Sequence, residues 1–164
     1  MSVLCEGNKP GTLVQQTVTN GSPCNYHESA TLGLPFMLLY EMTRSPKPLG
    51  ELGLIEQIRR GFSTSNKAIT LGIGDDCAIL RPPAGCEVLV TTDFTLEGRH
   101  FRRDLHPPES VGHRCLARGL SDLAAMGATP LAAFLSLAMP GTMLAESAGR
   151  NWIARFFTGL RALS

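Results

Sequence analysis

Paired-cysteine motifs are missing from this sequence: its five cysteines, Cys5, Cys24, Cys77, Cys86 and Cys115, are odd in number and never spaced as Cys-x-x-Cys. That excludes a disulfide framework and a structural zinc site of the usual spacing, and implies reduced thiols in a cytosolic compartment. Charge of one sign is equally scarce. With a net charge of +1 and no Lys/Arg stripe, no nucleic-acid interface is expected. No acidic or basic tail offers an interaction arm. Long apolar runs are missing too: the stretch over 32–40 is broken by Gly33 and Pro35 and is too short to span a membrane. No charged segment leads into an apolar one within residues 1–30, so no secretory signal is read there.

The common catalytic templates are also lacking. There is no Gly-x-x-x-x-Gly-Lys-Ser/Thr loop, which excludes a P-loop kinase, and Gly72-Ile-Gly74-Asp-Asp has neither the third glycine nor the following helix of a dinucleotide fingerprint. No Gly-x-Ser-x-Gly elbow and no His-x-x-x-His pair occurs. His106, beside Pro107 and Pro108, and His113, among polar neighbours, read as surface residues.

What remains is 164 residues, 43% apolar and 18% charged, enough for one soluble domain with a real core. Its two parts differ. Residues 1–48 scatter Gly7, Gly11, Gly21, Pro10, Pro23, Pro46 and Pro48 among Ser, Thr and Asn without a sustained period, and read as an irregular or disordered extension. Met42 is then a candidate natural start. Residues 49–164 are regular. Leu54, Ile55 and Ile58 fall at helical spacing, with Arg59 and Arg60 in the last turn and Gly61 as the stop. Strands are expected over 69–74, around 77–80 and over 87–92, the last a run of Val88, Leu89, Val90, Thr91 and Thr92.

Pro108 and Glu109 then open a helix whose inward stripe is Val111, Cys115, Leu116, Leu120, Leu123 and Ala124, with Gly127 ending it. A buried strand over 130–139 and a last helix over 144–163, with Ala148, Trp152, Ile153, Phe156 and Leu160 inward, complete the pattern. This order predicts an α+β fold of α/β layers, a mixed sheet packed by helices with at least one crossover.

Three acidic clusters lie where a predicted element meets a loop or breaks its own pattern: Gly74-Asp75-Asp76, Thr91-Thr92-Asp93 and Ser121-Asp122. Each mixes carboxylates with glycine or small hydroxyls, the oxygen donors that hard divalent cations such as magnesium prefer. Converging carboxylates without a cation would repel one another. Asp75 and Asp76 also fit plain turn chemistry, and Asp93 also fits a cap at a strand end. Asp122 stands between Leu120 and Leu123 in mid-helix, where capping does not explain it and an unpaired carboxylate is costly unless Arg114 or Arg118 pairs with it. His100 follows the second cluster within Glu97-Gly98-Arg99-His100-Phe101.

Four segments in order carry a family resemblance: Gly50-Glu-Leu-Gly-Leu-Ile-Glu56, Gly72-Ile-Gly-Asp-Asp-Cys-Ala78, Thr91-Thr-Asp-Phe-Thr-Leu-Glu-Gly-Arg-His-Phe101 and Leu120-Ser-Asp-Leu-Ala-Ala-Met-Gly-Ala-Thr-Pro130. They resemble successive motifs of the thiamine-monophosphate kinases, within the wider aminoimidazole ribonucleotide synthetase-like group. The resemblance covers residues 49–164 and leaves 1–48 unexplained. It implies the N-terminal domain of that fold, ATP as co-substrate, several magnesium ions, thiamine monophosphate as phosphoryl acceptor, a cytoplasmic homodimer, and no nucleic-acid or membrane partner. Carried over by position, Asp76, Thr91, Thr92, Asp93 and Asp122 resemble metal ligands, Asp75 a supporting carboxylate, and His100 a contact to the thiamine phosphate. No side chain is implied as a catalytic nucleophile or base.

Two departures accompany the likeness. Positions 118 and 119 are Arg118 and Gly119 where many relatives carry an apolar residue and Asn. The family's later Gly-Gly-Asp-Thr-type motif and its C-terminal domain have no counterpart before Ser164, so a truncated chain with an incomplete active site is expected. Other expectations are an ATP-dependent enzyme of the same group acting on a different acceptor, or a non-catalytic metal-binding dimerisation fragment.

Overall fold

The computed structural model describes residues 2–4, 12–18, 50–62 and 67–164. Helix α1 (Glu51–Gly61) forms on the expected pattern: Glu51 in the first turn and Arg59 and Arg60 in the last complement the helix dipole, while Leu54 and Ile58, four residues apart, bury one face. Gly61 is still helical and the buried Phe62 ends the helix, one residue beyond the expected stop.

Strands β3 (Ile69–Leu71) and β4 (Ile79–Leu80) form a small antiparallel ribbon. The first is shorter than expected because the chain turns at Gly74, whose φ of 120° suits glycine and few other residues. Beyond the ribbon come β5 (Phe94–Leu96), helix α2 (Pro108–Ala125), β6 (Ala133–Met139), the short helix α3 (Thr142–Ala145) and helix α4 (Ser147–Arg161).

A second sheet has the order β2-β6-β1-β5, in which β1 (Ser2–Leu4) runs parallel to both β5 and β6 and β2 (Thr12–Val18) runs antiparallel to β6. Because β5 and β6 are parallel to one shared strand, the chain between them must double back, and α2 is that crossover. The result is the expected α+β arrangement with a mixed sheet. At Ser2–Leu4 and Thr12–Val18 the segment read as irregular is strand: short runs with β-branched residues there find backbone partners along β5 and β6. The remainder of residues 1–49, including the candidate start Met42, lies outside the described residues.

The run over 87–92 is a correction. It contains no strand, and Val90 is 81% exposed. β-Branched residues make a strand only where a neighbour takes up the backbone hydrogen bonds, and among the described residues pairing begins at Phe94. Two helix stripes also differ at their ends. Ala124 on α2 and Ala148 on α4 are exposed, because the packed part of each helix is its crossing with the other.

That crossing makes the core. Val111, Cys115 and Leu116 of α2 meet Ile153, Phe156, Phe157 and Leu160 of α4, and Leu135, Leu137 and Met139, alternate residues of β6, complete the cluster. Phe101, Trp152, Phe156, Phe157 and Phe62 form a chain of ring contacts with centroids 5.3–6.0 Å apart. The two helix backbones touch: a Cβ at Gly112 would fall on the Phe156 carbonyl oxygen, and one at Gly159 on the Glu109 carbonyl oxygen. Glu109 and Arg155 pair in a two-pronged fork at 2.6 and 3.0 Å across the same crossing, and the Arg155 hydrogen bonds hold the Glu109 carboxyl below the usual carboxylate range.

Gly159→Ala is therefore expected to lower stability by about 1–3 kcal/mol in urea melts, as overpacking against backbone does. Gly141→Ala, where a Cβ meets nothing within 4 Å, is expected to change it by no more than about 0.5 kcal/mol. Equal effects at the two positions would contradict the close crossing.

Candidate functional site

Helix α2 keeps Leu120 against the edge of the core, and its last turns emerge at the surface, where Ser121, Asp122, Ala124 and Ala125 are all exposed. The desolvation expected to penalise Asp122 is consequently absent, and its position rests on a contact instead. Thr91 Oγ1 donates to Asp122 Oδ2 at 2.6 Å across 31 residues of sequence. Four residues earlier on the same helix face, Arg118 Nε donates to Asp93 Oδ2 at 2.6 Å, and its Nη1 donates to the Phe94 carbonyl at 2.9 Å. The other Asp93 oxygen, Oδ1, accepts the Phe94 amide at 2.7 Å.

The loop over 91–94 is thus laced to α2 at two successive turns. Gly119 lies between them, where even a Cβ would sit at ordinary contact distance, 3.8 Å from Thr91 Cγ2. Beneath the lacing, Thr95 and Cys115 are both buried, at 2% and 1%. Burial pushes the Cys115 thiol up to about 11, so it stays protonated and inert at neutral pH.

Arg118 is the residue that the sequence reading missed as part of this site. Its signal was present, an arginine one turn before Asp122 in a helix of small and apolar residues, but the expected partner was Asp122. The structure gives it to Asp93, and Arg114 instead donates to the His100 carbonyl at 2.7 Å.

His100 caps the turn that follows β5. Its Nδ1 accepts the Leu96 amide at 3.0 Å while its own amide donates to the Leu96 carbonyl at 2.8 Å. A neutral imidazole accepting at Nδ1 carries its proton on Nε2, which makes that nitrogen a donor rather than a metal ligand.

The first acidic cluster stands apart. Asp75 and Asp76 are exposed between β3 and β4, and the Asp76 amide donates to Asp75 Oδ1 at 2.8 Å, the turn chemistry foreseen as one option. No hydrogen bond or ion pair joins them to Asp93 or Asp122 among the described residues, where no three His, Cys, Asp or Glu side chains come together as a metal cage. In donor chemistry, the oxygens of Thr91, Asp93 and Asp122 suit a hard dication well. In charge, one of those carboxylates is already met by a guanidinium. Thr92 is exposed beside them.

Residues 74–164 match the family described as AIR synthase related protein, N-terminal domain, a stretch that contains every residue of this site. The chain is 39% identical to the thiamine-monophosphate kinase of Synechococcus elongatus over 117 residues, 71% of this chain and 32% of that protein. It is 35% identical to that of Haemophilus influenzae over 112 residues, 68% of this chain and 32% of the relative. It is 41% identical to that of Escherichia coli K12 over 91 residues, 56% of this chain and 28% of the relative. The chain thus spans about a third of the length of these curated relatives. No solved structure matches it.

A double-mutant cycle of Thr91→Val and Asp122→Ala is expected to give a coupling of about 1 kcal/mol in stability, the usual worth of one side-chain hydrogen bond. Additive effects would mean that the contact holds nothing in place.

Proposed function

The chain belongs to the family of AIR synthase related proteins through its N-terminal domain, and on that premise we propose that it is the magnesium- and nucleotide-phosphate-binding part of a thiamine-monophosphate kinase. The observation that carries this reading is the lacing of Thr91 to Asp122 and Asp93 to Arg118 inside the matched stretch. In the proposed reaction, the bond from the ATP β-phosphate bridging oxygen to the γ-phosphorus breaks. A phosphate oxygen of thiamine monophosphate bonds that phosphorus, giving thiamine diphosphate and ADP. The acceptor oxygen is already ionised at neutral pH, so the reaction needs no side-chain base.

Transfer of this kind depends on positioning and on neutralising phosphate charge. Magnesium, when bound, supplies most of that neutralisation. Thr91, Thr92, Asp93 and Asp122 are the residues proposed to hold it, with Asp76 as a further ligand and Asp75 as its support. Hydroxyl and carboxylate oxygens are the donors a small hard dication takes while keeping positions for phosphate oxygens and water. The chain's own contribution is to fix two segments distant in sequence side by side. His100 is proposed to orient the thiamine phosphate through Nε2–H, since Nδ1 is taken by Leu96. A cytoplasmic homodimer completes the reading; it accords with free Cys77, Cys86 and Cys115 and with the exposed apolar side chains Val88, Val90 and Phe94.

Calorimetry of the chain with a non-hydrolysable ATP analogue tests the reading. Binding is expected with magnesium present, to be lost with EDTA and to fall at least about tenfold in Asp122→Asn, as for a ligand removed from a metal site. Binding indifferent to magnesium, or unchanged in Asp122→Asn, would contradict it. In phosphoryl-transfer assays, preference for selenide or an aminoimidazole precursor over thiamine monophosphate would place the protein elsewhere in its family.

A further inference from the structure

We propose that Arg118 is a resident counter-cation of this site: it holds the face of Asp93 that magnesium uses, and so sets the magnesium concentration at which the site fills. The inference rests on the reading of Asp93 as a magnesium ligand. Its physical basis is that both oxygens of that carboxylate already have a partner. Oδ1 accepts the Phe94 amide at 2.7 Å and Oδ2 accepts Arg118 Nε at 2.6 Å. The guanidinium has a second anchor, its Nη1 on the Phe94 carbonyl at 2.9 Å.

Magnesium binds oxygen at about 2.0–2.1 Å in a near-ideal octahedron and tolerates little distortion. A magnesium ion approaching Asp93 Oδ2 competes with the guanidinium for the lone pair that faces it, and a guanidinium left in place would repel the dication even at the open lone pairs. Magnesium and Arg118 therefore compete for Asp93, and the ion fills the site against the charge of the guanidinium. The pair is poised for that. Its side chains keep 34% and 29% of their exposure, so water can take up the released groups. Four residues on, the Asp122 carboxylate accepts the Thr91 hydroxyl, an oxygen that can share a cation rather than exclude one.

The same contact admits an opposite role. An arginine that merely held Asp93 in place would favour magnesium by preorganising its ligand, and removing it would weaken binding. The two roles differ in sign, which makes them separable.

Magnesium chloride is titrated by calorimetry into the 164-residue chain and its Arg118→Gln, Asp93→Asn and doubly substituted forms. Arg118→Gln is expected to lower the magnesium dissociation constant about two- to fivefold, the worth of a partly exposed ion pair. Asp93→Asn is expected to raise it, and in that background Arg118→Gln should no longer tighten binding. Unchanged or weaker binding by Arg118→Gln, with Asp93→Asn still damaging, would overturn the role of Arg118 and leave the ligand reading intact. No effect of Asp93→Asn would overturn both. A second measurement needs no variant: the 15N resonance of Arg118 Nε should move as magnesium saturates the native chain, and a fixed resonance at saturation would equally overturn the proposal.

Discussion

The contact between two helix backbones at Gly112 and Gly159 is the constraint on which the rest of this structure depends. Helices with side chains at the crossing keep axes 8–10 Å apart; here neither partner tolerates even a Cβ. The approach lets Phe156 and Phe157 fill the core, sets Glu109 against Arg155, and fixes the direction in which α2 leaves the core. Asp122 lies ten residues beyond Gly112, about 15 Å along the helix. A small change of angle at the glycines would be magnified at that distance, so the packing at one end of α2 determines whether Thr91 and Asp122 meet at the other.

At the exposed end the organising force changes from packing to charge. Asp93 and Asp122 belong to segments that would repel each other if both carboxylates were bare, and the protein resolves this with one hydroxyl and one guanidinium. The loop over 91–94 is thus fastened to the end of α2 by two side-chain contacts. That gives Arg118 a contact that its place in the sequence alone does not suggest.

Much of this was legible in the sequence where apolar spacing is strong. The stripes through Leu54 and Ile58, Val111 and Cys115, and Ile153 and Leu160 identify their helices, and Leu135, Leu137 and Met139 identify a strand, because burial imposes a period that the chain must obey. Val88 to Val90 misled for the converse reason: β-branched composition records a preference, but a ladder needs a neighbour. The strands at Ser2–Leu4 and Thr12–Val18 were hidden because their partners are distant in sequence. Within the site, Asp122 was singled out on a desolvation argument that its exposure removes; its contact with Thr91 spans 31 residues and has no local signature. The pairing of Arg118 with Asp93, over Asp122 one turn away, was undetermined for the same reason. Asp75 and Asp76 remain joined to the others by family pattern, not by contact in the structure.

Membership of the AIR synthase related family and the likeness to thiamine-monophosphate kinases supply the chemistry that this geometry is read to serve. The central claim is that a divalent cation binds between the loop over 91–94 and the end of α2. Manganese, a paramagnetic stand-in for magnesium, tests it most directly when added at substoichiometric levels to the 15N-labelled chain with an ATP analogue. Selective broadening of the amide resonances of Thr91, Thr92, Asp93 and Asp122, reversed by excess magnesium, is the expected result. Broadening centred on other carboxylates such as Asp104 or Glu146, with these four resonances unaffected, would contradict it.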